Sequence, residues 1–193
     1  MPIEIIDYSV YTTPFKDLPC LEDAIQKGYS TEDEQNKTVS LRIRGQLSAV
    51  NYAISSLIRQ GNSNYYSVIQ RHAIYYAVSI LKKDIEAITN KKREIEENGT
   101  VEELELKFSE QNLQLLGPTS DRPSHVYMPY WCSEWINSNS DAFGLSTKRF
   151  AVFLLVCALN KSTITNQNIK SEIHKNTEWF MKYIQQQKNR YNL

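Results

Sequence analysis

The chain has 193 residues, of which 41% are hydrophobic and 23% charged, and its 22 basic and 22 acidic residues cancel to zero net charge. These values argue against a globally disordered chain and suffice for one medium-sized domain or two very small ones packed together. The longest apolar run, Phe150 to Leu159, covers ten residues, against the ~20 that a membrane span needs, so no membrane partner is expected.

No N-terminal stretch joins a basic start, an apolar middle and a small-residue cleavage site. Cys20, Cys132 and Cys157 are odd in number and lack a CxxC spacing. Together these features predict a reducing, cytoplasmic setting. Residues 1–36 hold Pro2, Pro14 and Pro19 and no sustained period, which predicts a loosely structured acidic arm with one short helix near Leu21 to Lys27. Val39, Leu41 and Ile43 then alternate with Ser40, Arg42 and Arg44, the period of a strand with one buried face. Leu47, Val50, Ile54, Leu57 and Ile58 recur at helical spacing up to Gly61, which suits a left-handed stop. Asn62, Ser63 or Asn64 is placed to cap a second helix with the stripe Ile69, Ala73, Tyr76, Ile80. Nothing halts that helix before Asn98-Gly99. Thr100 and Glu103 form a capping box for a returning helix that ends at Gly117-Pro118.

The order then repeats at an offset of about 85 residues. Val126, Met128 and Tyr130 alternate with His125, Tyr127 and Pro129 as a second strand. A helical stretch follows from Trp131 through Trp135 and Phe143 to Gly144, weakened by the poor helix formers Asn137 to Asp141. Ser146 or Thr147 caps a helix from Lys148 to about Lys161, apolar on every side and therefore buried. A last amphipathic helix carries Ile169, Ile173, Phe180 and Ile184 on one face. The organisation read from the chain is thus an arm (1–36), a first strand-helix-helix copy (37–83), a helical acidic connector (84–123), a second copy (124–161) and a C-terminal amphipathic helix (162–193).

Charge follows this organisation. Residues 1–36 carry a net −6, residues 37–83 seven bases and no acid, residues 84–116 a net −5 and residues 117–193 a net +4. An acid-free window of 47 residues in a chain with 22 acids points to a basic face for a polyanion, nucleic acid first among the candidates. Enzyme chemistry has little support. His72, His125 and His174 stand apart from one another and from any cysteine, so no metal site is expected. No Gly-rich phosphate loop, HExxH or GxSxG occurs. The run Glu94, Glu96, Glu97, Glu102, Glu103, Glu105 reads as a solvated face.

The segments Thr38 to Arg44, Gly61-Asn62-Ser63 with Val68-Ile69, His125 to Pro129, and Gly144-Leu145-Ser146 together resemble the ribbon-helix-helix family of DNA-binding proteins. In particular they resemble its tandem members, such as accessory proteins of conjugative and T-DNA transfer. The resemblance implies a mainly α fold with two short strands, arranged as a tandem ribbon-helix-helix pseudo-dimer with a helical-hairpin connector and an extra C-terminal helix. It also implies a non-enzymatic protein, without cofactor or metal, that lays a two-stranded ribbon in the major groove of double-stranded DNA as a transcriptional regulator or a plasmid or mobile-element accessory factor. The base contacts expected are Thr38, Ser40, Arg42 and Arg44 on one strand and His125 and Tyr127 on the other, with Arg42 foremost, since a guanidinium bonds guanine O6 and N7 together. Phosphate contacts are expected from Asn62, Ser63, Asn64, Ser146, Thr147, Lys148 and Arg149 at the starts of the second helices. Lys82 to Asn98, roughly 25 Å of helix, matches the roughly 24 Å of Val101 to Leu116, so the connector is expected to return the chain to the second strand as an antiparallel helical hairpin that points away from the ribbon. The alternatives are a protein-interaction module, an antitoxin that binds through Ile169 to Tyr191, and association with a second copy of the chain.

Overall fold

The computed structural model describes residues 20–27, 38–43, 48–62, 65–99 and 124–193. Its centre is α5 (Thr147–Leu159), in which every residue from Phe150 to Leu159 is buried. A helix apolar all round requires neighbours all round. They are α2 (Ser48–Arg59), α3 (Tyr66–Glu97), α4 (Tyr130–Ser140), α6 (Gln167–Arg190) and the strand β1 (Thr38–Ile43). Phe150 and Phe153 pack against Phe180 of α6, with ring centroids 6.2 and 4.7 Å away. Phe143 joins the same cluster at 5.6 Å from Phe150. The Tyr183 hydroxyl donates to the Phe143 carbonyl at 3.0 Å.

α1 (Leu21–Lys27) occupies the interval read as the arm's single helix, and Leu21, Ala24 and Ile25 bury it against α3. Glu22 accepts from the Thr163 amide, tying α1 to the loop between α5 and α6. α2 closes at Gly61 with φ +80°. There the Gly61 amide reaches the Ile58 carbonyl and the Asn62 amide the Leu57 carbonyl, at 3.0 and 3.2 Å. This is a Schellman closure, which needs the left-handed residue that glycine supplies without a Cβ penalty. Gly144 repeats it after the 3-10 turn Asp141–Phe143, with φ +62°, its own amide reaching the Asp141 carbonyl and the Leu145 amide the Ser140 carbonyl.

β1 pairs antiparallel with β2 (Ser124–Pro129), in the register Thr38↔Pro129, Ser40↔Tyr127, Leu41↔Val126, Arg42↔His125. Leu41, Ile43, Val126 and Met128 enter the common core, while His125 and Tyr127 are exposed. α3 packs on β2 and α5 on β1. Tyr130, expected on the strand, instead opens α4. Pro129 ends the ladder there, since it has no N–H to give and favours the first turn of a helix.

The fold class expected from the resemblance is corrected. Among the described residues the chain is a mainly helical domain of six α-helices around one core, and the tandem pseudo-dimer with a projecting hairpin is not what it forms. The distal half of α3 lies against the body. Ile85, Ile88 and Thr89 are buried, Glu86 accepts from Trp135 Nε1 at 2.8 Å, and Thr89 Oγ1 donates to Asn139 Oδ1 at 2.8 Å. The Arg93 guanidinium reaches the Ser138 carbonyl at 3.0 Å, and Asp84 pairs with Lys188 of α6 at 2.8 Å. The two second helices are unequal, 32 residues in α3 and 13 in α5. α6 is a wall of the core, not an addition to it: Ile173, Phe180 and Ile184 are buried against the body. The returning half of the connector, 101–116, lies outside the described residues.

The stripe read for α3 also shifts. Ile69, Ala73 and Tyr76 are buried, but Ile80 is 45% exposed. The Tyr76 hydroxyl lies near Cys20 and Glu22, so α1 covers that side of α3. One turn further on, the buried side becomes Leu81, Ile85 and Ile88.

Candidate nucleic-acid interface

The ribbon is the only sheet among the described residues, and its two faces differ sharply. On β2 the order from Ser124 runs half-buried, exposed, buried, exposed, buried, buried, which is the pleat of a strand with one sealed face. Val126 and Met128 are fully buried and Tyr127 is 59% exposed. His125 is exposed as well. The register sets His125 opposite position 42 and Tyr127 opposite position 40, with Thr38 opposite Pro129. The pleat assigns positions 40 and 42 to the face opposite Leu41 and Ile43. Four of the six expected base-contacting positions, Ser40, Arg42, His125 and Tyr127, therefore belong to one ribbon face. Thr38 stands at its end, and Arg44 lies outside the described residues.

The expected phosphate contacts divide. Ser146 caps α5, its hydroxyl accepting from the Arg149 amide at 3.4 Å. Thr147 is held by Asn137, whose Oδ1 accepts its hydroxyl at 2.8 Å. Lys148 and Arg149 are exposed in the first turn, which contains no acid, so nothing from that turn opposes the positive helix end. The start of α3 is different. Its N-cap is Tyr65, which makes no side-chain capping bond, so Asn62 is not the cap. Asn62 instead closes α2, its Nδ2 donating to the Leu57 carbonyl at 3.3 Å and its Oδ1 accepting from Gln26 at 3.5 Å. Ser63 and Asn64 lie outside the described residues. The first turn of α3 likewise lacks an acid.

One residue that holds this region and one that borders it stand apart from their sequence readings. Asn137, read only as a poor helix former, ties the end of α4 to the start of α5 across ten positions. Tyr130, 46% exposed, follows the ribbon directly. The role of Asn137 has no local sequence signal, since it acts through a tertiary bond, whereas Pro129 is the local signal that sets Tyr130 on the helix. The tyrosine run is split: Tyr75 stacks on Trp131 at 5.8 Å, Tyr66 bonds Asn51, Tyr76 is buried and Tyr65 is 69% exposed.

Among the described residues no three His, Cys, Asp or Glu side chains gather where a metal ion would bind. His72 is buried edge-on to Tyr75 at 6.4 Å, and burial, followed by the nearby Arg71 charge, lowers its pKa to about 4. It is a core imidazole and neutral over most of the physiological range. Among the same residues no single helix is long and apolar enough to cross a membrane. No family model, curated protein or solved structure matches the chain.

Proposed function

We propose that the chain is a non-enzymatic double-stranded DNA-binding protein that lays its two-stranded ribbon in the major groove and acts by occupancy, as a transcriptional regulator or an accessory factor in processing plasmid or mobile-element DNA. The observation that carries this reading is the ribbon itself, with one face sealed by Leu41, Ile43, Val126 and Met128 and the other presenting His125 and Tyr127 opposite positions 42 and 40. The major groove admits a two-stranded ribbon and offers a distinct donor and acceptor pattern for each base pair. Arg42 is the leading base reader, because its fork matches guanine O6 and N7. Ser40, Tyr127 and His125 each donate or accept. Lys148 and Arg149 beside the capped start of α5 supply phosphate contacts, where backbone N–H groups and the helix dipole favour an anion. The acid-free window 37–83 keeps negative charge out of the first strand and the helices that follow it.

The test is fluorescence anisotropy with a random-sequence duplex at about 50 and 200 mM salt. Affinity is expected to fall roughly 10²-fold between the two, which corresponds to release of counterions from about four phosphates. Lys148→Ala with Arg149→Ala should flatten the salt dependence, and Arg42→Ala should weaken binding to a selected site by about 1–3 kcal/mol. Absence of duplex binding at either salt overturns the reading.

A further inference from the structure

Resting on that reading, we infer that one chain occupies one DNA site, that the site is non-palindromic, and that its guanine lies under the Arg42–His125 end of the ribbon. Both strands come from the same chain, so a single molecule already carries a complete two-stranded reader. Two equivalent approximate two-folds exchange the strands of the paired residues 38–43 and 124–129 while keeping outward positions outward. One passes through the pair Ser40↔Tyr127 and carries Thr38 onto His125, Ser40 onto Tyr127 and Arg42 onto Pro129. The other passes through the pair Leu41↔Val126 and carries Ser40 onto His125 and Arg42 onto Tyr127. Under neither is an outward residue repeated.

One end of the ribbon therefore holds the cross-strand pair Arg42 and His125; the next outward pair is Ser40 and Tyr127, and the far end holds Thr38 and Pro129. Two residues along a strand span about 7 Å and paired strands lie about 5 Å apart, so the four positions cover roughly two to three base pairs at 3.4 Å each. The residue types at the first register pair, Arg and His, both donate to the acceptors O6 and N7 that guanine alone presents together. The register pairs toward the other end, Ser40 with Tyr127 and Thr38 with Pro129, contain no cationic residue type, and the exposed Tyr127 offers apolar contact to a thymine methyl. A palindrome repeats one half-site under both ends, so one of its halves always faces the wrong chemistry.

The experiment selects preferred duplexes from a random pool with the full chain and counts chains per duplex by sedimentation. The expected result is one chain per site and a sequence with its guanine on one side of the centre. Duplexes made palindromic from either half should bind the unaltered protein roughly 10-fold or more weakly, the discrimination one good bidentate contact gives. The exchange variant Arg42→Tyr with Tyr127→Arg, checked for folding by circular dichroism, should move the preferred guanine across the centre. A selected palindrome held by two chains overturns the inference and leaves DNA binding standing, as does a guanine that stays in place in a folded exchange variant. Failure to retain any duplex overturns the underlying reading together with it.

Discussion

The packing of the distal half of α3 on α4 rests on a polar seam, and its strength can be worked out from two residues. Thr89 and Asn139 are 3% and 4% exposed. Asn139 accepts from Thr89 Oγ1 at 2.8 Å and donates from Nδ2 to the Trp135 carbonyl at 2.7 Å. Asn139→Ala removes both bonds, worth about 1 kcal/mol each, and leaves the buried Thr89 hydroxyl without its acceptor, so the expected loss is about 2–4 kcal/mol. Thr89→Val orphans the Asn139 oxygen in turn and should cost about 1–3 kcal/mol. In the double variant neither group is left stranded, so it should lose about 1–2 kcal/mol less than the sum of the single losses. Urea unfolding followed by far-ultraviolet circular dichroism measures all three, with unchanged slopes needed for the comparison. Strict additivity together with a loss below about 0.5 kcal/mol for Asn139→Ala would refute the reasoning, and α3 would then leave the body beyond Leu81 as a separate projection.

Other outcomes follow from the same packing. The folded chain holds His72 with a pKa of about 4, whereas the unfolded chain takes up that proton below about 6.5. Stability should therefore fall as pH drops from about 6.5 toward 4, by up to ~3 kcal/mol, and His72→Gln should lose that part of the pH dependence; parallel pH profiles for the two proteins would contradict the burial. Cys132 and Cys157 are buried, with burial pushing the Cys157 thiol up to about 12 and the Cys132 thiol higher still, while Cys20 is partly exposed. A thiol reagent at neutral pH should then titrate one cysteine quickly in the native state and all three after denaturation, and fast reaction of a second native thiol would show the centre to be open. Gly61 has φ +80° and open space where a Cβ would stand. Gly61→Ala should cost about 1 kcal/mol through the backbone alone and Gly61→Asn less, as thermal unfolding will show; a neutral alanine would mean that α2 does not close in the left-handed conformation.

Local pattern by itself determined the positions of most elements. The α1 interval, the left-handed stops at Gly61 and Gly144, the cap at Ser146, the buried run Phe150 to Leu159 and the α6 stripe of Ile173, Phe180 and Ile184 all rest on signals within a few residues: a period, a glycine or a capping hydroxyl. The exposed alternation of His125 and Tyr127 was legible for the same reason. Tertiary structure decided the rest. Ile80 satisfies the helical stripe and is nevertheless exposed, because burial depends on whether a neighbour such as α1 reaches that turn. Asn139 belongs to a run of poor helix formers, yet its hydrogen bonds to Thr89 and the Trp135 carbonyl hold it in the wall between α3 and α4. The matching lengths of Lys82 to Asn98 and Val101 to Leu116 suggested a hairpin pointing away from the ribbon, but Ile85, Ile88 and the bonds from Trp135, Thr89 and Arg93 dock the α3 half of it on the body. Strand register is also a long-range property: the pairing of position 42 with His125, and so the chemistry of each end of the ribbon, arises only when segments more than 80 residues apart in the chain meet over a common core.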